Sequence, residues 1–187
     1  MRRLSVHPLP ERVPPDGLGG GTAVVIDVLR ATTSIVAALD AGAQAVIPCL
    51  TVDDARAVAA RLPRGDTLLA GERRGRPIAG FDLGNSPAEF TWQRVRGKRV
   101  VFTTTNGTKA LLHCRAAADV RVAALMNLSA VCDVLTERPV VDLVCAGTDG
   151  QSTEEDLLAA GGLVDRLLAG GDWKVNSDAG AARERWR

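Results

Sequence analysis

Short apolar runs rich in β-branched residues alternate along the chain with polar turns and with stretches of helical periodicity. Residues 22–28 form the first clear run, and Asp27 lies near its end. Further runs at 45–49, 67–70, 99–103, 120–125 and 140–145 read as strands. Between them, apolar positions at helical spacing predict helices over 34–41, 108–114, 129–135 and 153–169, the last ended by Gly170-Gly171. Thr51 reads as the cap of another helix, with Asp53 and Asp54 in its first turn and Ala55, Val58, Ala59 and Leu62 on one face. Ser86 reads as the cap of a short helix beginning at Pro87, with Glu89 at the capping-box position. Residues 8–15, rich in Pro, and 17–21, rich in Gly, read as loop, and 71–85 as a long loop rich in Gly and Arg.

Strands that are continuously apolar and alternate with helices predict an α/β fold, with a mainly parallel sheet flanked by helices on both faces. The 187 residues suffice for one domain with a sizeable core and are few for two. The expectation is therefore a single domain over 1–187, with a strand or loop lead-in over 1–21. Residues 172–187 read as the start of a helix that stops without a terminating residue and is short of packing partners, and the family resemblance described below implies that the chain is C-terminally truncated relative to that family.

Composition narrows the function classes. A formal net charge of +1 leaves no global basic footprint for nucleic acid or anionic membrane, and 3% aromatics is too few for base-stacking platforms. No window approaches a membrane span, and Pro8, Pro10, Glu11 and Arg12 follow the basic N-terminus where a signal peptide would be apolar. The expectation is a cytoplasmic protein without nucleic-acid or membrane partners. Cys49, Cys114, Cys132 and Cys145 lie in or beside apolar runs and form no CxxC pair, so they read as buried thiols. Neither His7 nor His113 sits in a catalytic motif, and no P-loop is present.

In parallel α/β sheets, ligands bind beyond the carboxyl ends of the strands. The segments that follow the strands here are 27–33, 71–76, 103–109 and 146–156, and a parallel sheet would bring them to one rim. Thr, Asn and Gly before a helix suit an anion, and Arg30, Arg73, Arg74 and Arg76 can neutralise phosphate or sulfonate. Asp27, Glu72, Asp82, Asp149, Glu155 and Asp156 are hard oxygen ligands suited to Mg²⁺. Bland readings compete: Thr32 or Thr33 as helix caps, Thr108 as the cap of a turn at Asn106-Gly107, and the arginines as a solvated run. Asp27 is the exception, because an unpaired carboxylate at the end of an apolar strand is costly.

The stretches 25–33, 70–73, 80–87, 103–108 and 145–148, together with Glu155-Asp156 and Ala160-Gly161, occur in the order found in a known family. On them the chain resembles the 2-phosphosulfolactate phosphatases, Mg²⁺-dependent enzymes of coenzyme M biosynthesis. The resemblance implies hydrolysis of a small anionic phosphorylated substrate, 2-phospho-3-sulfolactate, to sulfolactate and phosphate. It supports Asp27, Arg30 and Glu72 as catalytic residues and Asp27, Glu72 and Asp82 as the Mg²⁺ shell. Thr32, Thr33, Arg73, Thr104, Asn106, Gly107 and Thr108 are the expected substrate-binding residues. Whether water or Asp27 attacks phosphorus stays open in the sequence. Two rivals stand beside this reading: a phosphatase for another small phosphorylated acid, and a non-catalytic phosphate- or sulfonate-binding protein. A homodimer is compatible with all three, since closed symmetric pairs are the commonest oligomers.

Overall fold

A computed structural model describes residues 1–14 and 17–187; Pro15, the last residue of the predicted Pro-rich loop, and Asp16 lie outside the described residues. The strands are β1 (Arg2–His7), β2 (Thr22–Ile26), β3 (Ala45–Pro48), β4 (Thr67–Arg73), β5 (Arg76–Pro77), β6 (Arg99–Thr103), β7 (Asp119–Ala123), β8 (Val140–Cys145) and β9 (Trp173–Val175). The helices are α1 (Ala31–Asp40), α2 (Val52–Ala60), α3 (Trp92–Val95), α4 (Gly107–His113), α5 (Leu128–Leu135), α6 (Glu154–Ala169) and α7 (Ser177–Trp186).

The fold is α/β and mainly parallel, as the alternation predicts, but the strands divide between two sheets. One has the order β7-β2-β8-β1-β9 and is parallel throughout. The other has the order β3-β6-β4-β5, parallel except for the short antiparallel pair β4–β5. Apolar runs show that strands are buried; they do not show which run pairs with which. Helix α1 joins the sheets: Ile35 and Ala38 pack with Val100 and Phe102 of β6, and Val122 of β7 adds to the same cluster.

Strand β2 is buried along its whole length, which is why it reads as an unbroken apolar run. Beside it, Val141 and Leu143 of β8 and Leu4 and Val6 of β1 join Leu157, Leu163 and Leu167 of α6 in the largest core cluster. Caps read from sequence are present. The Thr51 hydroxyl accepts from the N–H of Asp54, whose carboxylate accepts from the N–H of Thr51, starting α2. The Glu89 carboxylate accepts from the N–H groups of Gly84 and Ser86, and the helix it caps is a single 3₁₀ turn, Pro87–Glu89.

Both ends of the chain are tied into the five-stranded sheet. β1, within the stretch expected as a strand or loop lead-in, is a full partner of β8. At the other end, β9 adds to β1, and Asn176 accepts from the N–H of Val6 and donates to its carbonyl. Asn176 also caps α7 by accepting from the N–H of Ala179. Helix α7 does not lack partners. Ala179 and Ala182 are buried, Gly161 and Gly162 of α6 leave room for the Ala182 carbonyl and Trp186, and Arg183 and Arg187 pair with Asp165. Among the described residues, no helix is long and apolar enough to cross a membrane.

Candidate active site

The carboxyl ends of β2, β4 and β6 and the loop after β8 face one another across the gap between the sheets. They enclose a cavity of about 430 Å³, lined by Asp27, Arg30, Glu72, Arg74, Asn85 and Asn106 among others. That volume suits a small-molecule ligand. The expected single rim is thus two opposed rims, with Asp27 supplied by one sheet and Glu72 and Asn106 by the other.

Asp27 follows β2 directly and is buried. Its Oδ1 accepts from the N–H of Ala31, the first residue of α1, while no donor among the described residues reaches Oδ2. Thr32 closes this turn from below: its hydroxyl donates to the Asp27 carbonyl at 2.8 Å and accepts from the Asp27 N–H at 3.0 Å. Thr33 donates to the Val28 carbonyl. Both threonines are therefore occupied with holding the turn, and neither lines the cavity. Arg30, at the cap position of α1, does line it, and its guanidinium has no hydrogen bond or ion pair among the described residues.

Burial, first of all, pushes the Asp27 carboxyl up to about 7; the neighbouring Asp156, Glu72 and Glu155 add to the rise, and the Ala31 N–H opposes it. Asp156 is also buried, and burial raises it as well. Its two oxygens accept from the N–H groups of Val28 and Gly147 at 2.8 and 3.1 Å, tying the loop after β2 to the loop after β8.

Glu72 approaches from β4. Its Oε1 accepts from the N–H of Thr105, and its Oε2 from the Thr105 hydroxyl and the N–H of Gly75. The strands come close here because Gly71 has φ +142° and stands against the Thr103 carbonyl, where a Cβ would collide. Arg73 points away from the cavity: it donates to the carbonyls of Leu50 and Glu72 and to the Thr103 hydroxyl. Its neighbour Arg74, at φ +52°, lines the cavity, and no partner among the described residues holds its guanidinium.

In the turn after β6, Thr104 and Thr108 bind each other. The N–H of Thr104 donates to the Thr108 hydroxyl, and the N–H of Thr108 to the Thr104 hydroxyl, both at 3.1 Å. Gly107 is buried where a side chain would meet Asp27 Oδ2 and the Ala31 methyl. Asn106 lines the cavity and accepts from the N–H of Asp149 at 3.4 Å.

The structure brings Asp27, Arg30, Glu72 and Asn106 together in the cavity lining and seats Gly107 against Asp27. It places Thr32, Thr33, Thr104 and Thr108 behind the lining and Arg73 on the far side. Asp82 does not join Asp27 and Glu72. It is exposed beside the middle of β4, where its carboxylate accepts from the N–H of Leu69 at 2.8 Å. Among the described residues, no three His, Cys, Asp or Glu side chains gather as a set that could hold a metal. Sequence reasoning missed Thr105 and Asn85 as cavity residues, and of the arginines it read as anion-neutralising it put Arg73, not Arg74, in the substrate-binding set. A threonine triplet and an arginine pair carry no internal signal of which member faces the ligand; strand alternation sets it only once the register is known.

The residues present fit a hard divalent cation in one form. Mg²⁺ uses one or two protein carboxylates and keeps several waters. Asp27 Oδ2 is a carboxylate oxygen open to such an ion, and Glu72, already bound by three donors, stands beside it for contact through water. With two buried carboxylates and two guanidinium groups unpaired among the described residues, the cavity has the chemistry to take a small anionic ligand together with a hard cation.

The comparisons with known proteins name the family. The family model for 2-phosphosulpholactate phosphatase matches residues 7–187. A probable 2-phosphosulfolactate phosphatase of Synechococcus sp. (strain RCC307) is 43% identical over 192 residues, covering 99% of this chain and 78% of the relative. One from Synechococcus sp. (strain CC9605) is 45% identical over 190 residues, with the same coverage of 99% and 78%. One from Thermotoga maritima is 45% identical over 146 residues, covering 78% of this chain and 62% of the relative. The chain belongs to the 2-phosphosulfolactate phosphatase family, a family of phosphoric monoester hydrolases.

Proposed function

We propose that this protein hydrolyses the phosphate ester of 2-phospho-3-sulfolactate, giving sulfolactate and inorganic phosphate, with Mg²⁺ at the acidic end of the cavity. One observation carries the reading. A single cavity holds two buried carboxylates and two guanidinium groups, Arg30 and Arg74, that have no other partner among the described residues. A ligand with several anionic groups would satisfy both arginines, and a hard cation would offset Asp27 and Glu72. A simple anion-binding protein has no use for the carboxylates, which repel its ligand.

Arg30 and Arg74 bind and orient the anionic groups, and planar guanidinium suits phosphoryl and sulfonate oxygens. Asn106 sets the edge of the same wall. Asp27 Oδ2 and, through water, Glu72 would hold the cation; when bound, it withdraws charge from the phosphoryl oxygens. Family membership supports the substrate, and with it a place in coenzyme M biosynthesis and a cytoplasmic location.

The test is phosphate release from 2-phosphosulfolactate with and without Mg²⁺, beside an analogue carrying carboxylate in place of sulfonate. Mg²⁺-dependent release favouring the sulfonate is the expected result. Equal rates on both esters would reassign the substrate, and binding without release would reassign the protein to an anion-binding role.

A further inference from the structure

The peptide that joins Asp27 to Val28 is held at both ends. Its carbonyl, that of Asp27, accepts from the Thr32 hydroxyl at 2.8 Å and from the Thr32 N–H at 2.9 Å. Its N–H, that of Val28, donates to Asp156 Oδ1 at 2.8 Å. Asp156 is 2% exposed and lies outside the cavity lining, so it has no access to a ligand there. Its Oδ2 accepts from the N–H of Gly147 at 3.1 Å. Gly147 opens a turn that is closed on itself, since Thr148 and Gln151 exchange N–H to carbonyl bonds at 2.8 and 3.0 Å. A side chain on Gly147 would collide with the Gln151 carbonyl, so this anchor has little room to move.

A carboxylate is the side chain this place requires. Two N–H groups converge on it, and each needs its own acceptor; an amide would offer one oxygen and turn a donor toward the other N–H. Asp is also a costly choice, because a buried charge is unfavourable and this one stands beside the charges of Asp27 and Glu155. Its place in the first turn of α6 offsets part of that cost. What the two bonds secure is the plane of the peptide directly after Asp27, and with it the direction from which the Asp27 carboxylate enters the cavity.

We propose that Asp156 is a positioning residue, which fixes the Asp27 carboxylate by holding the Val28 N–H against the anchored loop after β8. This rests on the reading of the cavity as a phosphatase site. Thr32 and Asp156 act as a pair, one on each end of the same peptide, and neither touches the ligand. With Thr32 alone the peptide can tilt about its carbonyl, and Asp27 Oδ2 moves with it. Such a tilt harms the turnover step, in which Asp27 takes part, more than ground-state binding of an anion held by Arg30 and Arg74.

The experiment reads kcat and KM for phosphate release from 2-phosphosulfolactate in wild type, Asp156→Asn, Asp27→Asn and the double variant. Rates are taken at a temperature below every thermal midpoint measured without ligand. Asp156→Ser, with a smaller neutral side chain, is read in the same way. Both Asp156 variants should lower kcat by about tenfold or more with KM within about threefold. In the Asp27→Asn background the same substitution should lower kcat by no more than about threefold further, because the residue through which it acts is already disabled. Thr51→Ala is the control for stability: it removes the cap of α2, outside the cavity lining, and should lower the midpoint with kcat unchanged. A lowered midpoint with kcat retained in the Asp156 variants would make the residue structural and overturn the proposal. So would a rise in KM alone, or an equal loss of kcat with and without Asp27. A wild type that releases phosphate from neither 2-phosphosulfolactate nor its carboxylate analogue would overturn the phosphatase reading and the proposal with it, which separates the two failures.

Discussion

Glu72 and Thr105, on neighbouring strands' ends, are joined twice: Glu72 accepts from the Thr105 N–H at 2.7 Å and from its hydroxyl at 3.1 Å. With the Gly75 N–H at 2.6 Å, this makes Glu72 a fastener as well as a cavity wall. Glu72→Gln turns one acceptor oxygen into a donor that faces N–H or O–H. The expected cost is about 1–3 kcal/mol of stability beside the loss of activity. High Mg²⁺ would therefore restore only part of the rate. Denaturant unfolding of the variant measures the first term, and a Mg²⁺ titration of activity the second. A variant as stable as wild type would show that the three bonds contribute little.

Asp27 carries the main prediction on rate. Asp27→Asn is nearly isosteric and keeps an acceptor for the Ala31 N–H, but it removes the charge facing the cavity. Activity should fall roughly 100-fold or more, on the order of 3 kcal/mol of transition-state stabilisation. Near-normal turnover would remove Asp27 from the site.

The same residue predicts the pH dependence of stability. Burial and the carboxylates of Asp156, Glu72 and Glu155 raise Asp27 from 3.8 to about 7. Between those values the folded protein holds a proton that the unfolded chain has released. Stability in the absence of metal therefore falls as pH rises from about 4 to about 7, then levels off. The shift corresponds to at most about 4 kcal/mol. Asp27→Asn should flatten this slope and match wild type near pH 4 while exceeding it at pH 8. Thermal midpoints across that range decide it, and a wild-type midpoint that climbs steadily from pH 4 to 8 would contradict it.

How much of this was legible in the sequence depends on the kind of information each feature needs. The apolar run ending at Asp27 and the cap at Thr51 are local, and both stand in the structure. Strand β4 was legible only as far as Ala70, because Gly71 is held by Thr103 of β6 and the polar Glu72 and Arg73 by the short strand β5. β9 was missed: its three residues offer no periodicity and owe their conformation to β1. Asp82 illustrates the limit for sites. Its residue type suits a cation, but its direction is set by the Leu69 N–H, a tertiary contact absent from any spacing rule. The arginine pair shows the same limit, since Arg73 and Arg74 differ in role through backbone direction alone.

That difference is testable by paired substitution. Arg73→Ala should leave three acceptors short of a donor, the Leu50 and Glu72 carbonyls and the Thr103 hydroxyl, and so lower the thermal midpoint. Arg74→Ala should leave the midpoint near wild type and raise KM for an ester with two or more anionic groups, by about tenfold. Asn106→Ala should behave like Arg74→Ala, with a smaller effect. If both arginine variants raise KM equally at unchanged stability, the side chain of Arg73 turns toward the ligand in solution.

The last prediction concerns Gly107, which carries no functional group. A Cβ there would stand 2.5 Å from Asp27 Oδ2 and closer still to the Ala31 methyl. Both neighbours are fixed: Ala31 is fully buried and donates to Asp27 Oδ1, and Thr32 holds the Asp27 backbone from two sides. The added methyl therefore has no flexible side chain to displace. It must separate α4 from the turn after β2, moving the rim that carries Asn106 away from the rim that carries Asp27. Gly107→Ala should cost about 1–3 kcal/mol of stability through overpacking. It should also lower kcat by about 100-fold, since a shift near 1 Å at a reacting centre has that effect. Gly65→Ala is the control, because a Cβ there meets nothing within 4 Å. Stability and kcat for both variants are the measurements. Full activity in Gly107→Ala would mean that the two rims can part without consequence, and the site would then not be built across them.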